Sequence, residues 1–303
     1  MPKQELARKI GTLKAERGAI ILAHNYQPPE IQDIADRLGD SLDLSRAAAA
    51  AGEKTIVFCG VHFMAETAAI LSPDKRVVLP EPAAGCPMAD MMSAEDLVEV
   101  KKKHPGAVVV TYVNSTAQVK AETDICCTSA NAVSVVTSVP PGTKIIFGPD
   151  KFLGGWVAGR TGREMIIWQG FCPTHQKIRP EHIVEARAKH PGAIVMAHPE
   201  VNPEVAALAD EVLGTGGMLS FVQKSPAHAF LVATEVGMVY RLRKSFPEKE
   251  FFPVTKHALC PNMKKITLEK VVRALETLET TITVPEDVAE RARRAIRRMV
   301  AIV

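Results

Sequence analysis

The sequence predicts an α/β protein made of three related αβα domains, each a three-layer unit with a small parallel sheet, arranged around a pseudo-threefold axis. Short apolar runs alternate with amphipathic segments, as in a parallel sheet covered by helices on both faces. Three of these runs begin alike, in "RGAIILAHNY" (17–26), "PGAVVVTYVN" (105–114) and "PGAIVMAHPE" (191–200). A Cys-Pro dipeptide follows late in each unit. We therefore expect one active site at the central junction of the domains.

The three units share a register that starts at Gly18, Gly106 and Gly192. Polar side chains recur at fixed distances from these glycines. Counted from the glycine, and given in the order of the three units, the sixth residues are His24, Tyr112 and His198, and the eighth are Tyr26, Asn114 and Glu200. The eighteenth are Asp36, Asp124 and Asp210, and the twenty-third are Ser41, Ser129 and Thr215. The cysteines of the Cys-Pro dipeptides are Cys86, Cys172 and Cys260. So many matches in one register indicate an internal repeat.

Each unit opens with a buried strand and continues as an amphipathic helix. In the first unit Pro29 suits the first turn of that helix, and in the third we expect Asn202 to cap the helix that Pro203 begins. The next residues either extend the helix or form a short strand. A second helix starts at the recurring Ser or Thr, and two further strands enclose a third helix before the Cys-Pro loop.

These elements predict the domain organisation. The first unit, with an N-terminal helix, covers 1–103, the second covers 104–189 and the third covers 190–265, and a helical tail at 266–303 packs on the repeats. Each unit is small for independent stability, so we expect extensive packing between them.

The recurring polar residues follow the strands, and ligands of open parallel sheets bind beyond the carboxyl ends of the strands. We expect the sixth and eighth residues and the cysteines to converge on one site. The hydroxyl at a helix start suits an anion, although it can equally be a simple cap. Glu200 follows a buried strand, where a carboxylate is costly unless it is paired or functional. The recurring aspartates are interpreted as structural, bonding the backbone at the turn between helix and strand.

The cysteines divide into two groups. Cys59, Cys126 and Cys127 have no cysteine counterparts in the other units, so we interpret them as packing residues. The three Cys-Pro cysteines suggest a metal centre. Zinc would take His175 or His257 as a fourth ligand, whereas three ligands to a [4Fe–4S] cluster would leave one iron open to substrate.

Composition excludes several classes of protein. The net charge is +3 with the basic residues spread out, so we expect no nucleic-acid partner. No apolar run has the length of a membrane span, and the first residues lack the apolar core of a signal peptide. We expect a cytoplasmic protein with reduced thiols and no membrane partner.

The chain resembles the quinolinate synthase family, the A proteins of NAD biosynthesis. The resemblance is carried, in order along the chain, by "LAHNYQ" (22–27), "GDSLDLSR" (39–46), "GCPMADM" (85–91), "TYVNS" (111–115), "DICCTSANA" (124–132), "GPDKFLG" (148–154), "WQGFCPTH" (168–175), "AHPE" (197–200) and "TEVGMVYRL" (234–242). It implies condensation of iminoaspartate with dihydroxyacetone phosphate to quinolinate, phosphate and two waters. It also implies a non-redox [4Fe–4S] cluster whose open iron acts as a Lewis acid, and a functional link to an L-aspartate oxidase or dehydrogenase that supplies iminoaspartate.

The resemblance also implies roles for individual residues. It implies that Cys86, Cys172 and Cys260 are the cluster ligands, that Tyr26, Glu200, His198 and Tyr112 are catalytic, and that His24, Ser41, Asn114, Ser129, Thr215, Gly216 and Gly217 bind substrate, the last three with its phosphate. Two departures from many relatives are Val201 and Met263, where those relatives carry further cysteines. Regulation through those extra thiols is therefore not expected here.

Two other functions stay open at this point. An aconitase-like hydro-lyase would use the same open iron on a single carboxylic acid, but it would not need helix starts suited to phosphate. A zinc-stabilised three-domain binding protein would need none of the polar residues that follow the first strands.

Overall fold

A computed structural model describes residues 1–302, and it is an α/β structure with three four-stranded sheets. The strands of the first sheet are β1 (Ala19–His24), β2 (Arg37–Gly39), β3 (Thr55–Cys59) and β4 (Arg76–Val78). Those of the second are β5 (Val108–Tyr112), β6 (Ile125–Cys127), β7 (Ile145–Gly148) and β8 (Met165–Ile167). Those of the third are β9 (Ile194–Ala197), β10 (Glu211–Val212), β11 (Ala229–Ala233) and β12 (Glu250–Pro253).

All three sheets have the same topology. Their strand orders are β2-β1-β3-β4, β6-β5-β7-β8 and β10-β9-β11-β12, and every neighbouring pair is parallel. The first strand of each unit therefore lies inside its sheet, next to the third. This agreement confirms the three predicted αβα domains. The boundaries that we place between them stay predictions.

Helices connect the strands and form the chain ends. They are α1 (Lys3–Glu16), α2 (Pro29–Ile34), α3 (Ser41–Ala50), α4 (His62–Leu71), α5 (Ala94–Lys103), α6 (Ala117–Ala121), α7 (Ala132–Ser138), α8 (Lys151–Thr161), α9 (Pro180–Lys189), α10 (Pro203–Ala207), α11 (Thr215–Lys224), α12 (Gly237–Ser245), α13 (Leu268–Thr277) and α14 (Glu286–Ala301). None of these helices is long and apolar enough to cross a membrane. Helix α14 packs on α6, β6 and α4, so the end of the chain joins the first two units.

The structure shows whether the residues after the first amphipathic helix extend that helix or form a short strand, and where the predicted helix starts lie. Helix α2 ends at Ile34, and the residues after it form the short strand β2. Asn202 occupies the N-cap position of α10, but its side chain makes no capping hydrogen bond. Ser41 and Thr215 begin helices as predicted.

The prediction that a helix starts at Ser129 was wrong. Helix α7 begins three residues later, at Ala132. The cause is a local turn in which Asn131 Oδ1 accepts hydrogen bonds from Thr128 N at 2.9 Å and from Thr128 Oγ1 at 3.2 Å. This turn leaves Ser129 in a loop that faces the third unit.

The recurring aspartates have one structural role in all three units. Asp36, Asp124 and Asp210 each accept a hydrogen bond from a backbone N–H of the first strand, at 2.8, 2.7 and 2.8 Å. In each unit the aspartate N–H donates in turn to the carbonyl of that same strand residue. A buried N–H without a partner is costly, so this pair of bonds fixes the short strand beside the first one.

We expect Asp124→Ala to lower the free energy of unfolding by about 1–3 kcal/mol, because it removes the acceptor of the buried Val109 N–H. Urea unfolding followed by circular dichroism measures the change. Glu99→Ala is the control, since Glu99 is exposed and pairs only with Lys102, and it should change stability by less than about 0.5 kcal/mol. Equal stabilities for the two variants would contradict the structural role.

Candidate active site

One cavity of about 180 Å³ gathers side chains from all three units. The predicted site residues that line it are His24, Tyr26, Ser41, Cys86, Tyr112, Asn114, Ser129, Cys172, His198, Glu200, Thr215 and Cys260. Gly216 and Gly217 are not among the lining residues. They lie in the first turn of α11, directly after Thr215.

His24 and His198 have the same geometry in the first and third units. In each ring Nδ1 accepts the backbone N–H two residues further on, that of Tyr26 at 3.1 Å and that of Glu200 at 3.3 Å. The ring proton is therefore on Nε2, and His198 Nε2 lies 3.2 Å from Ser129 Oγ. Burial lowers the pKa of each histidine from 6.5 to about 3. Both rings are neutral donors at physiological pH.

Glu200 is a buried carboxylate with partners on both oxygens. Tyr112 Oη donates to Oε1 at 2.5 Å, and His175 Nδ1 lies 2.7 Å from Oε2. Burial alone would raise the pKa of Glu200, but His175 and His198 outweigh it and bring the pKa well below its ordinary value. Glu200 is therefore ionised, and because Tyr112 and His175 both belong to the second unit, it joins the third unit to the second at the cavity.

A chain of hydrogen bonds continues from Glu200 to Tyr26. Thr234 Oγ1 lies 2.8 Å from His175 Nε2 and 2.6 Å from Tyr26 Oη. When the His175 ring is neutral with its proton on Nδ1, the order of donation runs from Tyr26 through Thr234 and His175 to Glu200. Burial raises the pKa of Tyr26 well above its ordinary value, so this phenol keeps its proton.

The three Cys-Pro cysteines are free and partly exposed towards the cavity. Burial raises the pKa of Cys86 to about 12, although the backbone N–H of Ala89 faces its sulfur. Burial likewise raises the pKa of Cys172, whose sulfur is faced by the N–H of His175. Such thiols give up their protons only when a metal ion compensates the charge.

The geometry explains why each of these cysteines precedes a proline. Proline fixes its own φ and has no N–H, so it starts a turn without losing a hydrogen bond. Short helical turns follow at Ala89–Met91 and His175–Lys177. In these turns the Ala89 N–H donates to the carbonyl oxygen of Cys86 at 2.9 Å, and the Gln176 N–H donates to that of Cys172 at 3.1 Å.

The other three cysteines lie away from the cavity. Cys59, Cys126 and Cys127 end or form strands in the core and have no exposed surface. Burial raises the pKa of each, to about 12 for Cys59 and Cys126. Their predicted packing role fits this burial.

Sequence reasoning missed Asp40, which lines the cavity. Its Oδ1 accepts the N–H groups of Leu42 and Asp43 at 2.9 Å, and the N–H of Gly216 at the start of α11 faces the same carboxyl group. A protein carboxylate thus occupies two helix starts that we had expected to be open to an anion. Its position directly before Ser41, where Asp is a favoured cap, was the available signal.

His175 and Thr234 were not predicted in their present role. The sequence suggests His175 only as a possible zinc ligand and assigns no role to Thr234. The ligand atoms of Cys172, His175 and Glu200 lie within 4.8 Å of one another, so this group could hold a cation. His257 is exposed and does not line the cavity, which removes it as a metal ligand.

Comparison with known proteins identifies the family. The family model of the quinolinate synthetase A protein (NadA) matches residues 8–301. The chain belongs to this family. It is 55% identical over 303 residues to a quinolinate synthase of Dehalococcoides mccartyi, covering all of both chains. It is 54% identical over 297 residues to one of Methanoregula boonei, covering 98% of each chain. It is 51% identical over 302 residues to one of Methanosarcina barkeri, covering 100% of this chain and 99% of the relative. The resemblance seen in the motifs is therefore confirmed.

We predict that His24 stays neutral, with its proton on Nε2, when the metal-free protein is brought to pH 5. Its pKa of about 3 lies below the ordinary 6.5, so the unfolded chain binds the proton first and stability falls as the pH drops below about 6.5. Nitrogen-15 NMR of the ring reports both tautomer and charge. The same chain in urea, where histidines titrate near 6.5, is the reference. A cationic ring at pH 5 would show that burial does not control it.

Proposed function

We propose that this member of the family catalyses the condensation of iminoaspartate with dihydroxyacetone phosphate to quinolinate, phosphate and two waters. The atoms balance without an oxidant or reductant. The observation that carries the proposal is the joining, in one cavity, of three equivalent free cysteines and a hydrogen-bonded chain of acid and base groups. The full-length relatives named quinolinate synthase support it.

Cys86, Cys172 and Cys260 fit a [4Fe–4S] cluster. They come one from each unit, they line one cavity, and burial keeps the first two protonated without a metal centre. When bound, a cluster held by three thiolates supplies one open iron, a Lewis acid for a carboxylate or hydroxyl oxygen. We assign substrate binding and proton transfer to side chains of the protein.

Neutral donors suit the anionic substrates. His24 and His198 present Nε2–H groups, and Ser41 adds a hydroxyl at the start of α3. Asn114 Oδ1 is buried without a hydrogen-bond partner among the described residues, so it is free to accept from a substrate hydroxyl or amine. We propose that these four side chains orient the carboxylates and hydroxyls of the substrate.

The phosphate site is proposed at Thr215 and Ser129. Thr215 Oγ1 accepts from Asn25 Nδ2 at 3.0 Å, so its own proton can be donated to a phosphate oxygen. The Asp40 carboxyl group already faces the Gly216 N–H. We therefore propose that a phosphate binds the hydroxyls of Thr215 and Ser129 and the backbone near Gly217. The Gly216 N–H would not be available to it while Asp40 occupies that position.

Glu200 is the proposed base and Tyr26 is the proposed acid. Glu200 is an ionised carboxylate that can take a proton from a substrate carbon, and Tyr112 holds its orientation. Tyr26 keeps its phenolic proton and can donate it to a departing oxygen. Thr234 and His175 connect the two residues, and with the His175 proton on Nδ1 the chain passes a proton from Tyr26 towards Glu200. Returning a proton to Tyr26 requires the same hydrogen bonds to reverse, with the His175 proton on Nε2.

The substrate implies a partner reaction. Iminoaspartate is short-lived, so we propose that an L-aspartate oxidase or dehydrogenase supplies it. All six cysteines are free, which suits the cytoplasm, where thiols stay reduced. A divalent cation held by Cys172, His175 and Glu200 is the second candidate for the metal centre, because their ligand atoms are close together.

We expect protein purified without oxygen to contain about four irons and four sulfides per chain, with a broad absorption near 400 nm. Replacing Cys86, Cys172 or Cys260 with Ala should abolish cluster binding, because each removes one of three ligands. Iron and sulfide analysis measures this. Cys59→Ala and Cys126→Ala are matched controls and should keep the cluster. A colourless Cys126→Ala protein, or a wild-type protein that binds only zinc, would contradict the ligand assignment.

Glu200→Gln should keep the cluster and lower quinolinate formation by about 10²–10⁴-fold, because it removes the proposed base. Quinolinate is assayed with the anaerobically reconstituted enzyme. Glu204→Gln is the control, since Glu204 is an exposed acid in the next helix, α10, and should be fully active. Full activity of Glu200→Gln would exclude Glu200 as the base.

A further inference from the structure

Glu235 is a buried carboxylate at the cavity that the proposed chemistry does not use. It has no exposed surface and follows strand β11. Its Oε1 accepts the backbone N–H of Cys260 at 3.0 Å, and its Oε2 accepts the N–H of Gly237 at 2.7 Å. Lys264 Nζ lies 2.9 Å from Oε1 and 3.1 Å from Oε2. Both oxygens are therefore fully hydrogen-bonded.

Lys264 continues this network to the first unit. Its Nζ also donates to the carbonyl oxygen of Tyr26. Glu235 and Lys264 thus connect the backbone of a proposed cluster ligand, Cys260, to the backbone of the proposed acid, Tyr26. The connection crosses from the third unit to the first.

Gly237 shows how tightly this contact is built. A Cβ atom at this position would lie 2.8 Å from Glu235 Oε2, 2.9 Å from Lys264 Nζ and 2.9 Å from the Tyr26 carbonyl carbon. Contacts this short are not tolerated between packed atoms. Only glycine allows the carboxylate, the ammonium group and the Tyr26 backbone to meet.

The second unit places a carboxyl group at a similar point. Asp150 follows strand β7, is buried, and accepts the N–H groups of Phe152 and Leu153 at 2.8 Å. The backbone N–H of Cys172 also faces this carboxyl group. The first unit has Val61 at the position of Asp150. A carboxyl group therefore supports two of the three cysteine loops, and only Glu235 is paired with a lysine.

We propose that Glu235 and Lys264 are a positioning pair, which holds Cys260 and Tyr26 in register and sets the electrostatic potential at the Cys260 side of the cluster. The inference rests on the proposed function, because it takes Cys260 as a ligand. A neutral amide could also cap this turn, whereas a buried ion pair carries a desolvation cost. The pair therefore has a use beyond capping, and groups that orient metal ligands also tune the metal centre.

The two charges have opposite effects on the cluster. Negative charge beside an iron–sulfur cluster lowers its reduction potential, and positive charge raises it. Glu235→Gln removes the anion and leaves the cation. Lys264→Met removes the cation and leaves the anion. The double variant removes both and restores the net charge of the wild type.

The experiment is a double-mutant cycle on the anaerobically reconstituted enzyme. Redox titration followed by electron paramagnetic resonance should show the midpoint potential raised in Glu235→Gln, lowered in Lys264→Met, and near the wild-type value in the double variant. Each should keep about four irons per chain. We expect kcat to fall about 10- to 100-fold in all three, with a smaller change in KM, because Tyr26 and the cluster lose their fixed relation.

Thr267→Ala is the matched control. Thr267 caps α13 away from the cavity, so its loss lowers stability without touching a cluster loop. If Lys264→Met does not fold, Glu235→Gln and the neutral double variant still decide the question. Potentials and kcat equal to those of Thr267→Ala would overturn the inference and leave the pair as a simple cap.

Failure of the inference is distinguishable from failure of the proposed function. A wild-type enzyme without cluster or quinolinate formation would remove the proposed function itself. A wild-type enzyme with both, whose Glu235 and Lys264 variants show unchanged potentials, would remove only the positioning pair.

Discussion

The structure of the cavity depends on how the charge of Glu200 is compensated. A carboxylate buried at the junction of three domains is stable only if its oxygens are hydrogen-bonded. Those bonds come from Tyr112 and His175, which both belong to the second unit. His175 then requires Thr234, and Thr234 holds Tyr26 of the first unit. One buried charge thus fixes the relative positions of groups that lie far apart in the sequence.

The repeats separate structural residues from chemical ones. One structural position carries the same residue type in every unit, namely Asp36, Asp124 and Asp210. Each of these side chains accepts a backbone N–H of the first strand and so holds the short strand beside it. The eighth residues differ: Tyr26 and Glu200 meet different partners in the cavity, and Asn114 Oδ1 has no hydrogen-bond partner among the described residues. The repeated fold therefore places the eighth residue after the first strand in every unit. The side chain there is a phenol in Tyr26, an amide in Asn114 and a carboxylate in Glu200.

The sequence predicted those features that depend on local pattern. Sheet strands follow from apolar runs, and the cavity-lining residues follow from their common register. Three features were not predictable in this way. His175 acts through Thr234, a contact between units that spacing does not reveal. The Asp40 carboxyl reaches a helix start in the third unit. Ser129 leaves the helical register because the side chain of Asn131 closes a turn. In the first two cases a contact between units overrides the repeat, and in the third a local side-chain hydrogen bond does.

Two of the hydrogen-bond donors in the cavity are neutral histidines. The cavity lining includes the cation Lys177, whose Nζ donates to the carbonyl oxygen of Leu259 at 3.4 Å. Burial keeps His24 and His198 uncharged, and the backbone N–H on each Nδ1 directs the remaining proton into the cavity. Lys264 pairs with the Glu235 carboxylate and not with that of Glu200. The cavity thus presents neutral donors beside the ionised carboxylate of Glu200, which suits the anionic substrates and the acid–base roles that we propose.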